Sequence, residues 1–402
     1  MKKLQLNLIG ISLLLFCITN NSKAQWQLQN NAYATDIKAV DNNNIWITGY
    51  VGLNDGYIAR STNGGLTWST VLDNIENVWA IDVVGTNTVY AVGNYGLVYK
   101  TTNGGVNWTT TILNTNQYLS SVDFIDANTG WVVGTSIIFK TTDGGTTWNT
   151  QPDGTTNFYS EVHFFDLNKG WVVGQNGTIL HTTNGGTTWS TQTSGTSSDL
   201  GAIYFIDANN GWAAGANGTI LRTANGGTSW TQQTSGITSS INDVQFVDGN
   251  TGWAVASGTN SGVILKTTNG GSTWNVEAFG SLPNFSAVNF VDSNKGWACG
   301  PGNSATGIYL YSGSPSNIQE NNFLNSTQVY PNPSEGIVTM QFEEMQNEIN
   351  ISVYSIDGRI LQNFTKNQMD NFSFEIDEPA GLYLVEIIND KNEKATFRLI
   401  KE

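Results

Sequence analysis

An octapeptide with two adjacent glycines and a closing tryptophan recurs six times in this chain. The copies are Ser61–Trp68 (STNGGLTW), Thr101–Trp108 (TTNGGVNW), Thr141–Trp148 (TTDGGTTW), Thr182–Trp189 (TTNGGTTW), Thr223–Trp230 (TANGGTSW) and Thr267–Trp274 (TTNGGSTW). Their tryptophans lie 40, 40, 41, 41 and 44 residues apart. A second signal runs in phase with the first. An aromatic residue opens a short apolar strand, usually between two glycines, at Trp46, Tyr90, Trp131, Trp171, Trp212, Trp253 and Trp297. A period of this length built from strand-like segments indicates stacked four-stranded blades.

Each period divides into four strands. The first resembles Ser121–Ile125, where Val122 and Phe124 alternate with polar Ser121 and Asp123. The turn from Asp126 to Gly130 follows, with Asp and Asn side chains bonding its backbone. Trp131–Gly134 and Ser136–Lys140 form the second and third strands. The octapeptide makes the hairpin into a fourth strand, and Gly144 and Gly145 allow the positive φ it needs. Seven aromatic strands against six boxes leave the last blade, Phe285 to Tyr311, without an outer strand. Trp26–Gln29 has an outer-strand pattern with no box before it. It is expected to pair beside Tyr309 and close the ring without an open edge. The expectation is an all-β chain, with a seven-bladed propeller over residues 25–313.

The octapeptide resembles the Asp-box, or bacterial neuraminidase repeat, with Ser/Thr, Asn/Asp, Gly, Thr and Trp at matching places. There the polar side chains would hold the hairpin and the Trp would pack between blades. Together with the Gly-Trp-x-x-Gly strands, the boxes look like the photosystem II stability/assembly factor family of seven-bladed propellers. That resemblance implies a chaperone-like binder of a membrane protein with an Arg-rich patch. This propeller has only Arg60 and Arg222. Each stands directly before a box, as Lys100, Lys140, His181 and Lys266 do. Support of the hairpins is their expected role.

Charge narrows the partners. Lys and Arg total 17 against 32 Asp and Glu, a net charge of −15. Nucleic acid and anionic lipid are poor partners for such a surface. Residues 1–24 read as a signal peptide, with Lys2-Lys3, the apolar run Ile9–Ile18 and the small-x-small site Ser22-Lys23-Ala24. That run is too short to span a bilayer, so no integral anchor is expected. Cys17 falls in the signal, which leaves Cys299 unpaired. An internal disulfide and a thiolate metal cluster are therefore excluded.

Catalytic constellations are scarce. Sialidases hold a carboxylate with three arginines, and two repeat-position arginines cannot supply that grip. Other Asp-box glycosidases use an acid pair, for which Asp82, Asp123, Glu161 and Asp243 are the candidates. Asp126-x-Asn128-x-Gly130 has the start of a calcium loop but Ile137 where the bidentate Glu belongs. Its recurrence at Asp166, Asp207, Asp248 and Asp292 indicates a turn cap instead. His163 and His181 are isolated, and no nucleotide fingerprint occurs. No cofactor or metal is expected.

Positions that vary between blades are free to be specific. On the first strands they are Lys38, Asp82, Asp123, His163, Tyr204, Gln245 and Asn289, expected to ring the central channel. The preceding loops add Tyr33, Trp79, Tyr118, Phe158, Tyr159 and Phe285. Aromatics beside hydrogen-bonding groups suit a sugar face or a protein hot spot. The expected function is a non-catalytic binder of a protein or glycan at the cell surface. An extracellular glycosidase or lyase using the acids is the alternative.

Composition shifts after a polar linker, residues 314–326. Val329-Tyr-Pro-Asn-Pro333, Asp357-Gly358-Arg359 and the strand Pro379–Ile387 open and build a new domain over 327–402, expected to be a small β-sandwich. These motifs look like the C-terminal sorting domain of the Bacteroidota type IX (Por) secretion system. The resemblance implies export across the outer membrane, to the medium or the cell surface, through that machinery.

Overall fold

The computed structural model describes residues 25–52, 55–258, 262–277, 284–300, 307–312, 327–355, 359–390 and 394–402. The expected signal peptide, the linker and the Asp357-Gly358 turn lie outside the described residues. The chain divides into two compact units, one up to Ser314 and one from Pro315.

Among the described residues, the first unit contains seven four-stranded antiparallel sheets. In chain order they span Ala34–Ile75, Val78–Ile112, Leu119–Thr150, Tyr159–Gln192, Leu200–Gln233 and Ser240–Val276, blades 1 to 6. Blade 7 combines Ala287–Ser312 with the N-terminal strand Gln25–Asn30. In that blade Trp26 lies opposite Tyr311 and Leu28 opposite Tyr309. The first strand of each blade packs against the first strand of the next, and Ala287–Asp292 packs against Ala34–Ala39. The sheets therefore form a closed circle around an axis lined by seven first strands.

The box works as its residue types require. In Thr182–Trp189, the Thr182 hydroxyl accepts from Gly186 N at 2.9 Å and donates to Asn184 at 3.0 Å. Asn184 Oδ1 accepts from Thr188 N at 2.9 Å. Trp189 meets Phe164 edge-on at 5.9 Å and packs into a cluster containing Trp131 of the preceding blade. The turn acids cap as expected: Asp126 Oδ1 accepts from Asn128 N and Thr129 N, both at 2.7 Å. Arg60, Lys100 and Lys140, each directly before a box, reach the hairpin of the following blade and not their own. Lys140 donates to Gly185 O at 2.8 Å while lying 5.0 Å over the Trp131 ring.

Junctions between blades are aromatic. Trp131 stacks on Phe164 of the next blade with centroids 3.4 Å apart, and Trp171–Phe205, Trp212–Phe246 and Trp253–Phe290 repeat the pair at 3.5 to 3.6 Å. This stacking explains the glycine before Trp131, Trp171, Trp212, Trp253 and Trp297. Phe164 sits opposite Gly170 across its own blade, and a Cβ on Gly170 would lie 2.5 Å from the Phe164 ring. Blade 1 solves the same problem in reverse, pairing Ala39 with Ile45, and blade 2 shares the bulk equally, pairing Val83 with Val89. In blade 1 the bulk moves from one strand to its partner.

The second unit is one five-stranded sheet, not the two packed layers of a sandwich. Its central strand, Ile337–Ser355, pairs along one edge with Ile360–Glu375. Along the other edge it pairs first with Thr327–Tyr330 and then with Gly381–Asn389. A strand of 19 residues serving three partners lets a single sheet surround its own core. Val338, Met340, Ile351, Val353, Phe374 and Val385 fill that core.

The size exchange between Phe and Gly predicts a coupled pair. Gly170→Ile is expected to cost about 3 kcal/mol by overpacking, and Phe164→Ala about 3–5 kcal/mol by leaving a cavity. The double variant reproduces the small-large arrangement of blade 1. Its cost in urea denaturation should fall short of the sum by more than about 1 kcal/mol. Additive costs would refute the exchange.

Candidate functional site

First strands hold one another through side chains that cross the junctions after blades 1 to 4, 6 and 7. Asp36 Oδ2 accepts from Ile81 N at 2.9 Å, Glu161 Oε2 from Ile203 N at 2.5 Å and Asp243 Oδ2 from Val288 N at 2.8 Å. Two positions on, Asp82 accepts from Phe124 N at 2.7 Å and Asp123 from Phe164 N at 2.5 Å. Gln245 accepts from Phe290 N at 2.5 Å. Asn289 accepts from Ala39 N at 2.9 Å and so ties the last blade to the first. Thr35, Ser120 and Asn242 donate to the carbonyls of Val78, Tyr159 and Phe285 at 2.9, 2.6 and 2.5 Å. A side chain on the first strand of blades 1 to 4, 6 and 7 thus supplies a partner that the next strand's inner edge would otherwise lack.

These residues enclose an axial cavity of about 330 Å³ whose wall draws on all seven blades. Lys38, Asp82, Asp123, His163, Tyr204, Gln245 and Asn289 all line it, together with Glu161 and Asp243. Asp36 lines it too and was missed. Superposing the repeats by sequence would have found it, since Asp36 occupies the place of Glu161 and Asp243. The glycosidase candidates are thus structural acceptors between blades, neither solvated strand ends nor side chains free of other bonds.

Five carboxylates face one ammonium. Burial lifts Asp82 to about 6, helped by the neighbouring charge of Asp123. It likewise lifts Asp123 and Asp243 to about 6. Burial and then the charge of Asp243 push Glu161 well above the carboxylate range, and burial raises Asp36. Burial opposes the Lys38 charge, yet Asp36, Asp82, Asp243 and Glu161 together outweigh it and hold its pKa above the ordinary value. Burial lowers His163 to about 4, so its ring is neutral, 3.1 Å from Phe205 O. Among the described residues, no group of three or more His, Cys, Asp or Glu is arranged to hold a metal.

Aromatic side chains form a crescent where the first strands begin. Tyr33, Tyr50, Trp79, Tyr118 and Phe158 follow one another with centroids 4.4, 5.5, 5.4 and 5.7 Å apart. All five are half-buried. Trp79 also lines the cavity and donates to Asn94 at 2.9 Å. Tyr50 was missed because it follows the glycine that closes the second strand, a place held by Asn94, Thr135 or Gln175 in other blades. Two expected members do not belong. Tyr159 and Phe285 are fully buried: Tyr159 opens its first strand and Phe285 precedes its own by two residues, both at the apolar position occupied elsewhere by Val78 or Leu200.

Residues 105–195 and 191–281 match the family of photosynthesis system II assembly factor YCF48. Residues 328–402 match the secretion system C-terminal sorting domain. The chain is similar in structure to YCF48 bound to D1 peptide, with 19% identity, a TM-score of 0.58, and coverage of 72% of this chain and 95% of that one. YCF48 from Cyanidioschyzon merolae gives 20%, 0.58, 73% and 100%. The WD40 repeats of RRP9 give 9%, 0.59, 73% and 98%. No curated protein matches the chain. The class is a β-propeller. More particularly, its propeller resembles the photosynthesis system II assembly factor YCF48 over residues 105–281, and residues 328–402 match a secretion sorting domain. Such a tail marks the chain for type IX export to the cell surface or beyond. Among the described residues, no helix is long and apolar enough to cross a membrane.

The cavity charges predict a pH signature. A carboxyl raised in the folded state favours folding at low pH, and that contribution is lost as pH rises from about 4 through about 6. His163 acts oppositely, costing stability as pH falls from about 6.5 towards about 4. Asp82→Asn keeps an acceptor for Phe124 and removes one charge. Its gain over the parent should exceed its gain at acid pH by about 1–3 kcal/mol when measured above neutrality. Lys38→Met should cost about 3–5 kcal/mol above neutrality and less in acid. Thermal midpoints across pH decide it, and pH-independent effects would refute the assignment.

Proposed function

We propose that this protein is an exported binding module that takes a peptide segment of a protein partner at the channel mouth. The aromatic crescent carries this reading. Half-buried Trp and Tyr side chains give large contact areas at small entropic cost, as hot spots require. The similarity to a propeller solved with a bound peptide supports a peptide over a glycan. The repeat positions support the same reading, since they are absorbed by blade-to-blade bonds and leave the variable mouth for recognition.

The hydrolase alternative needs an acid free to protonate a leaving group. Asp82, Asp123, Glu161 and Asp243 each accept a backbone N–H of the next blade. That engagement favours binding over glycoside hydrolysis. Export would proceed with residues 1–24 as the inner-membrane signal and 327–402 as the outer-membrane signal. The mature propeller would then span 25–313, with 314–326 as linker.

Two experiments test the proposal. Random peptides displayed on phage and selected on the full chain should enrich on the parent but not on Trp79→Ala/Tyr118→Ala, whose far-ultraviolet circular dichroism should match the parent. Enrichment on both, or enrichment only of polysaccharide on a glycan array, rejects the peptide site. Separately, removal of 327–402 should leave the protein in the periplasm of a type IX-competent host. Undiminished surface or medium levels would reject the export role.

A further inference from the structure

We infer that the segment taken at the channel mouth is cationic, with a Lys or Arg side chain directed from the aromatic crescent towards the axial cavity; this rests on the peptide-binding reading above. The occupant is argued from charge. Asp36, Glu161 and Asp243 lie one position beyond the ring that begins with Thr35 and Trp79, and Asp82 and Asp123 lie two further in. Among the described residues that line the cavity, Lys38 is the one cation set against these five acids, because His163 is neutral. The acids repel one another: the charge of Asp123 raises Asp82, and those of Asp243 and Asp36 raise Glu161. The site therefore holds an unmet demand for positive charge. A cleft lined by one sign of charge with low-dielectric walls focuses its field on the entrance.

The crescent adds the complementary surface. Trp and Tyr faces attract ammonium and guanidinium groups, Trp most strongly. This propeller already uses that contact in its frame, where Arg60 lies 5.0 Å over Trp46 and Lys266 5.0 Å over Trp253. Trp79 belongs to both the crescent and the cavity wall, so a cation passing from one to the other meets no break. The chain as a whole carries −15, which repels acidic segments and steers basic ones. A neutral sugar would use the rings but not the charge.

The test uses the full chain and the selected peptides. Sequences enriched on the parent should be rich in Arg and Lys. The tightest of them, labelled and followed by fluorescence anisotropy, should lose about tenfold or more in affinity between low and high salt. Replacing its basic residues by Gln should cost a similar factor. Ser160→Lys places a second ammonium at the cavity wall, where Ser160 lies, and should abolish binding while the fold is retained, as read by far-ultraviolet circular dichroism and thermal midpoint. Enriched peptides that are neutral or acidic, or affinity indifferent to salt and to Ser160→Lys, overturn the inference and leave the peptide site standing. Absence of any enriched peptide overturns both.

Discussion

The stack of Trp131 on Phe164, repeated around the ring, is the contact on which the rest of the structure depends. It joins residues of different blades, so no blade can complete its own core. Three of these Trp side chains are also engaged by the next hairpin: Trp131 Nε1 donates to Gly185 O and Trp212 Nε1 to Gly270 O, both at 3.2 Å, and Trp171 Nε1 to Gly226 O at 3.3 Å. A basic residue closes the sandwich from above. The octapeptide, the glycine before Trp and the cation before the box are three parts of one junction. That is why they recur in phase.

A second set of contacts runs near the axis, and it has a cost. Carboxylates are good acceptors for the inner-edge N–H groups, yet placing five of them around one cavity sets them against one another. The Lys38 ammonium relieves part of the repulsion. Blades 5 and 7 avoid the problem with uncharged residues at the corresponding places, Ala202 with Tyr204 and Ala287 with Asn289. The remaining charge is thus concentrated in blades 1 to 4 and 6, and the aromatic crescent rises from blades 1 to 4. Recognition and ring closure use neighbouring positions of the same short strands. Variation at one is constrained by the other.

Much of this was legible in the residues. The period marked the blades, the count of boxes against aromatic strands placed the N-terminal strand in blade 7, and the varying first-strand positions led to the cavity wall. Three features were not. Asp36 was not singled out, because its role depends on Ile81, its partner on the next blade. Tyr159 and Phe285 read as loop aromatics because a strand start shifted by one residue exchanges the buried and lining positions. In the C-terminal unit, alternation announced strands but could not tell one curled sheet from two layers.

The sequence by itself determined the repeating unit, its strand order, the hairpin chemistry and the ring closure, because these depend on local patterns and their spacing. Tertiary structure alone decided what the acids do and where the aromatics gather. Both properties arise between residues roughly one period apart, such as Asp123 with Phe164 and Trp79 with Tyr118. Whether a carboxylate bonds a backbone amide or faces water depends on the distance across a junction between blades, which periodicity along the chain does not specify.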